Sequence, residues 1–346
     1  MNYTRVFIDS FGYELPSNVV TSDDLERRLA PLYDALHIQR GQLEAITGIH
    51  ERRYWDPGFP LSEGAIRAGR KALAAARVSR EDVGMLIYGA VCRENLEPAS
   101  ACAVAHGLGL PPESAVYDVS NACLGVLNGM VNVANAIELG QIRAGMVVAC
   151  ESAREIVELT IDRLLRERSM ETLRKTVATL TGGSGAVAVV LTDGSFGAQD
   201  RRLLGGAARS APEHHRLCVW GPDTGIPGGM SHMAETDSAR VLQHGVALGT
   251  ATYEAFRVAM ALDPDEPDRV VCHQVGATHQ RAILTALGIP EERDFTTFRH
   301  LGNVGTVSLP ITAAIAAERG VLRPGDLVGL LGIGSGLNCL MLAVRW

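Results

Sequence analysis

AGRKALAAARVSREDVGMLIYGAV (68–91) and TYEAFRVAMALDPDEPDRVVCHQVG (252–276) are the two stretches whose comparison decides the fold. Each is an alanine-rich helical pattern, then a short acidic turn, then an apolar run of strand length. The likeness continues downstream, where LGLPPESAVYDVSNAC (108–123) is matched by LGIPEERDFTTFRHLGN (287–303). Cys123 lies 15 residues beyond its leucine and Asn303 lies 16 beyond its own, so the two take nearly equivalent places. Both segments lead on to a similar strand, AGMVVACES (144–152) and PGDLVGLLGIG (324–334). Self-similarity of this kind marks a duplication. Alternating helices and short apolar strands imply sheets buried by helices on their faces. The expectation is an α/β protein of two packed halves, residues 1–193 and 194–346.

Composition bounds the function. With 47% hydrophobic and 21% charged residues over 346 positions, the chain has material for a large core and no disordered character. A net charge of −7, without a basic stripe or a nucleic-acid motif, argues against a phosphate-backbone partner. The opening residues MNYTRVFIDS lack the basic-then-apolar order of a signal peptide, and no apolar run approaches the roughly 18 residues that span a bilayer. A cytoplasmic protein with no membrane span is expected. Seven scattered cysteines without a C-x-x-C pair read as reduced thiols, with no metal or redox cofactor. Between the halves, 154–180 is a charged amphipathic helical excursion without a counterpart. It is either a lid over a substrate channel or a solvated decoration, and the sequence leaves both open.

Four features carry chemistry. In YDVSNACLGVLNGMVNVANAIELG (117–140) a strand gives way to small polar residues and then to a helical pattern after Cys123. That places a thiol at a helix N-terminus, where unpaired N–H groups and the helix dipole favour thiolate and are expected to lower its pKa. VVCHQVG (270–276) offers His273 as a proton-transfer partner, although a core histidine fits the same pattern. HLGNVGTVSLP (300–310) puts Asn303 among small residues, where a turn asparagine would also sit. LLGIGSGLNCLMLAV (330–344) interrupts an apolar run with glycines that let backbone N–H groups approach an oxyanion. It lacks the Lys-Ser/Thr of a phosphate loop.

The order SNAC, CHQ, GN, GIGSG over two repeats resembles the thiolase superfamily, in particular its ketoacyl synthase III-like branch. The likeness covers essentially the whole chain, from TGIHERR (47–53) onward. It implies a five-layered αβαβα fold, a homodimer, and an acyl-enzyme site in which Cys123 is the nucleophile. His273 and Asn303 would hold the second substrate's thioester carbonyl as it becomes an enolate, and the backbone N–H groups of Cys123 and Ser335 would form the oxyanion hole. Degradative thiolases place a second catalytic cysteine before their C-terminal glycines. Here Cys339 follows them, which disfavours that activity.

Three positions depart from the ketoacyl synthase III pattern. Ile46 stands where those enzymes carry an arginine that contacts coenzyme A, and Leu301 stands where they often have a histidine, with His300 one place earlier. The coenzyme A contacts therefore remain unassigned. The third is Glu97, in RENLEPASAC (93–102), where the relatives place an apolar side chain that reaches the neighbouring subunit's acyl pocket. Read locally, Glu97 is an acid ahead of a helix start at Pro98. Read through the family, it is similar to the glutamate of the olefin-biosynthesis thiolases, with which the chain shares LEPAS, SNACLG, GIGSGLNC and the 26-residue step from Glu97 to Cys123. Those enzymes join two fatty acyl-coenzyme A molecules head to head. An unactivated acyl thioester cannot lose carbon dioxide to make its own carbanion, so a base must remove its α-proton.

The resemblance implies a non-decarboxylative Claisen condensation to a 2-alkyl-3-ketoacyl thioester released as a β-keto acid. That product would pass to reducing and β-lactone-forming enzymes toward long-chain olefins. The rivals are a decarboxylative synthase III using a malonyl-carrier donor, a cysteine hydrolase or thioesterase, and a catalytically silent subunit, the last disfavoured by the presence of Cys123.

Overall fold

The computed structural model describes every residue except Leu96, Ala198, 223–231 and Pro264. Its first half supplies β1 (Phe7–Glu14), β2 (Val83–Tyr88), β3 (Ala115–Asp118), β4 (Ala144–Glu151) and β5 (Gly185–Thr192). The second supplies β6 (Arg202–Ser210), β7 (Arg269–Cys272), β8 (Leu327–Gly334) and β9 (Asn338–Arg345). Across the molecule the order is β7-β8-β9-β6-β1-β5-β4-β2-β3.

The halves share one wiring. In the first, β1 runs antiparallel to β5 and β5 to β4, while β4 with β2 and β2 with β3 are parallel. In the second, β6 runs antiparallel to β9 and β9 to β8, while β8 and β7 are parallel. The counterpart of β3 shrinks to a parallel bridge between Val270 and Asp294, in a stretch where EERDF replaces the apolar SAVYD. The halves meet through the Phe7–Arg202 pair of β1 and β6.

The helices include α1 (Leu61–Ala75), α2 (Ser100–Leu108), α3 (Gly125–Glu138), α4 (Arg154–Glu167), α5 (Met170–Thr176), α6 (Ser238–Met260), α7 (Ala277–Leu287) and α8 (Ser308–Glu318). Strand alternation separates the layers. On β4, Cys150 faces Gly64 of α1 while Val147 faces Gly129 of α3, so α1 and α3 cover opposite faces of the first half-sheet. Helix α6 covers β6 and β9 from outside, with α7 beside it. Between the half-sheets lie α3, whose Leu124 and Leu127 side reaches Gly332 of β8, and α8, which touches β1, β5 and β7. Residues Ser308–Ala316 of α8 are all buried, as a helix enclosed by two sheets requires. The result is the five-layered αβαβα thiolase architecture.

The excursion at 154–180 forms α4, α5 and a 3-10 turn (Thr179–Thr181). Val157, Ile161 and Leu164 of α4 share a buried cluster with Leu25, Leu29 and Leu32. The solvated-decoration reading is therefore excluded: the segment is part of a core. Among the described residues, no helix is long and apolar enough to cross a membrane.

Candidate active site

Cys123 lies on the turn between β3 and α3. Ala122 just before it takes φ 45°, a left-handed conformation rare for a residue with a Cβ. The second half pins this turn. Val126 N–H donates to Thr306 Oγ1 at 2.8 Å, and Asn338 Nδ2 donates to Asn121 Oδ1 at 2.9 Å. A Cβ placed on Gly334 would come within 3.3 Å of the Cys123 nitrogen, so the end of β8 lies tightly against the Cys123 backbone.

The thiol is not the ready thiolate expected from its place before a helix. Burial pushes its pKa up to about 12, with Cys218 and Glu151 adding to the rise. A helix N-terminus favours an anion by about 1 kcal/mol, and removal of a charge from water outweighs that. Ionisation must therefore come from proton transfer to a base.

His273 is the first residue beyond β7, and its N–H donates to Leu331 O at 3.0 Å. Its buried Nδ1 has no hydrogen-bond partner among the described residues. Burial, with nearby His279 contributing, lowers the imidazole pKa to about 4, so the ring is neutral near pH 7 and able to accept a proton. Gln274 fixes the backbone around it. Its Nε2 donates to Cys272 O at 2.7 Å, while its Oε1 accepts from the N–H groups of Thr297 and Phe298 at 3.0 and 3.3 Å. This ties the end of β7 to the helical turn Phe298–Leu301, which delivers Asn303.

Asn303 Oδ1 accepts from Gly305 N–H at 3.1 Å and from the Ser308 hydroxyl at 3.4 Å. With the oxygen occupied, the Nδ2 donors are what the side chain offers to the space it borders. Cys123, His273, Asn303 and Ser335 all line one cavity of about 540 Å³. Ile156 of α4 and Ala178, Thr179 and Thr181 form part of its wall.

Glu97 is not among the lining residues of its own chain; it is exposed, in the connection from β2 to α2. Nor is it the acid that starts the helix. The first residues of α2, Ser100 and Ala101, donate their N–H groups at 3.0 and 2.9 Å to Asp118 at the end of β3. That corrects the local reading, because the negative charge at this helix N-terminus comes from a neighbouring strand. Leu301 is buried, and exposed His300 lies 3.6 Å from Glu51, so His300 does not take the missing histidine's place in the cavity. Cys339 lines the wall and donates its thiol to Gly332 O.

Sequence reasoning missed several lining residues. Glu151, at the end of an otherwise apolar strand, is buried and accepts from Val91 and Cys92 N–H groups at 2.9 and 3.0 Å. Its burial raises its pKa. A lone acid closing AGMVVACE was the available signal. Cys218 and Trp220 arrive on the hairpin Cys218–Pro222/His232–Thr236, and His279 on α7; nothing local in the sequence marks them. Among the described residues no cluster of three or more His, Cys, Asp or Glu is arranged to hold a metal ion.

Comparisons with known proteins find relatives over the full length of the chain. Residues 60–204 match the family described as thiolase, N-terminal domain, and residues 259–346 match the 3-oxoacyl-[acyl-carrier-protein] synthase III C-terminal family. An acyl-CoA:acyl-CoA alkyltransferase of Shewanella oneidensis is 51% identical, with both chains covered in full. One of Xanthomonas campestris pv. campestris is 36% identical, again over 100% of both. A crystal structure of Xanthomonas campestris OleA superposes with a TM-score of 0.94 at 35% identity, covering 100% of this chain and 98% of that one. Related structures of that protein include single substitutions of a cysteine, a glutamate and a histidine, and one with bound lauric acid and lauroyl-CoA. Similarity of this extent over the full length shows that the chain belongs to the OleA family of acyl-CoA:acyl-CoA alkyltransferases, acyltransferases of the thiolase fold.

Proposed function

We propose that the chain condenses two long-chain fatty acyl-coenzyme A molecules head to head, with the second carbanion generated by Glu97 of another copy of the chain. His273 accepts the Cys123 proton as the thiolate attacks the first thioester, and the coenzyme A thiol leaves with a proton. The oxyanion is held by the backbone N–H groups of Cys123 and Ser335. Glu97 then removes the α-proton of the second acyl-coenzyme A. His273 and Asn303 hold the enolate oxygen while its α-carbon attacks the acyl-Cys123 carbonyl and expels the thiolate. The 2-alkyl-3-ketoacyl thioester is hydrolysed at the same site to a β-keto acid. Reducing and β-lactone-forming enzymes would consume that acid, in the cytoplasm.

The observation that carries this reading is the position of Glu97. It is exposed, absent from its own cavity, and relieved of helix capping by Asp118. Its 26-residue separation from Cys123 equals that between the glutamate and the cysteine substituted in the OleA structures. Strand β3 ends the sheet and carries exposed Tyr117, an edge for a second copy to cover in a homodimer.

Purified protein given one fatty acyl-coenzyme A, without malonyl groups, is expected to yield β-keto acid or its derived ketone by mass spectrometry. Free fatty acid alone would indicate a thioesterase, and a requirement for a malonyl carrier would indicate a decarboxylative synthase. Glu97→Ala is expected to retain acylation of Cys123 by intact mass while condensation falls by about 10²-fold or more. Normal condensation in that variant sinks the role of Glu97.

A further inference from the structure

The cavity extends beyond the reacting groups. On β8, alternation places Gly332 and Gly334 toward α3, and Leu331 and Ile333 toward α6. Cross-strand pairing sets Cys339 beside Ile333 and Met341 beside Leu331, so these four side chains form one wall of a lobe under α6 and α7. Helix α6 roofs it from Ser238 to Gly249, a span of about 16 Å. Beyond Gly249, Tyr253 and Phe256 of α6 pack in one buried core with Leu248 and with Leu284 of α7.

Glycine is a poor helix former, yet α6 places two of them in its interior, one turn apart, both buried and both on the lobe. A Cβ on Gly245 would stand 3.2 Å from Ile333 Cδ1. A Cβ on Gly249 would stand only 2.7 Å from Ile283 Cδ1. Ile283 also lines the lobe, so a methyl at 249 must shift a side chain that forms part of its wall.

We propose that the contact of Gly249 with Ile283 sets the length of the acyl chain that this lobe admits. The inference rests on the fatty acyl substrate proposed above. It assigns one of the two chains to a lobe lined by residues of the same chain as Cys123.

The test measures acylation of Cys123 by intact mass across octanoyl- to octadecanoyl-coenzyme A, a half-reaction that does not use Glu97. Gly249→Ala is expected to lower the ratio of long-chain to short-chain acylation rates by about tenfold. Gly249→Ala with Ile283→Val, which deletes the opposing Cδ1, is expected to restore the parent ratio. Thermal melts of both variants establish that each is folded. An unchanged ratio, an equal loss at every chain length, or failure of the second substitution to restore the ratio overturns the proposal. A parent protein that no acyl-coenzyme A acylates overturns the condensing reading and this proposal with it.

Discussion

Gly89 and His273 occupy the same place in the two halves. Each is the residue just beyond its parallel strand, and each donates its N–H to the neighbouring strand, Gly89 to Val148 O at 2.8 Å and His273 to Leu331 O at 3.0 Å. The first half closes this position with backbone. A Cβ on Gly89 would meet Gly125 O at 2.6 Å, so the strand end lies directly against the start of α3. The second half fills the position with an imidazole. The same scaffold thus draws α3 close to the sheet in one half and presents an imidazole in the other. Duplication provided the frame, and single residues divided the labour.

Three substitutions and one control probe that division. The largest effect is expected from His273→Ala, which removes the acceptor for a thiol held near pKa 12 and should slow acylation by roughly 10²–10⁴-fold. With the imidazole pKa near 4, the parent enzyme's acylation rate should be nearly flat between about pH 6 and 8. An acid limb near pH 6.5 in stopped-flow acylation would contradict the burial argument. The linked stability has a definite sign. A histidine neutral in the fold and basic when unfolded costs stability as pH falls from its ordinary 6.5 toward 4. Next, Gly89→Ala forces a methyl against backbone atoms that cannot rotate away, and should cost about 1–3 kcal/mol in denaturant titration. A neutral result would mean that the first half does not need its backbone contact. The smallest effect is expected from Asp118→Asn, which weakens the cap of α2 by about 1 kcal/mol. Glu97→Gln should leave stability unchanged in the same titration; equal losses would return Glu97 to a capping role.

What the sequence revealed follows the range of the interactions involved. The repeat, the turn at Cys123 and the equivalence of Cys123 with Asn303 are local patterns, and the shared wiring of the half-sheets follows from them. The cap of α2 was misread because its acid lies 18 residues from Ser100 on a parallel strand, beyond any capping motif. The raised thiol pKa was missed because burial is set by the other half of the chain. Cys218 and Trp220 enter the cavity on a strand placed by its pairing with His232–Thr236, and no local motif announces that pairing.

The contact of Gly334 with the backbone of Cys123 also orders events in time. Cys123 emerges from the ribosome about two hundred residues ahead of Gly334 and Ser335. At roughly 5–20 residues per second that is an interval of tens of seconds. Throughout it the thiol lacks the enclosure that the end of β8 provides, and with it the burial that raises its pKa. The cavity is therefore complete only when the hairpin of β8 and β9 closes, since Gly334 and Ser335 lie where those strands meet.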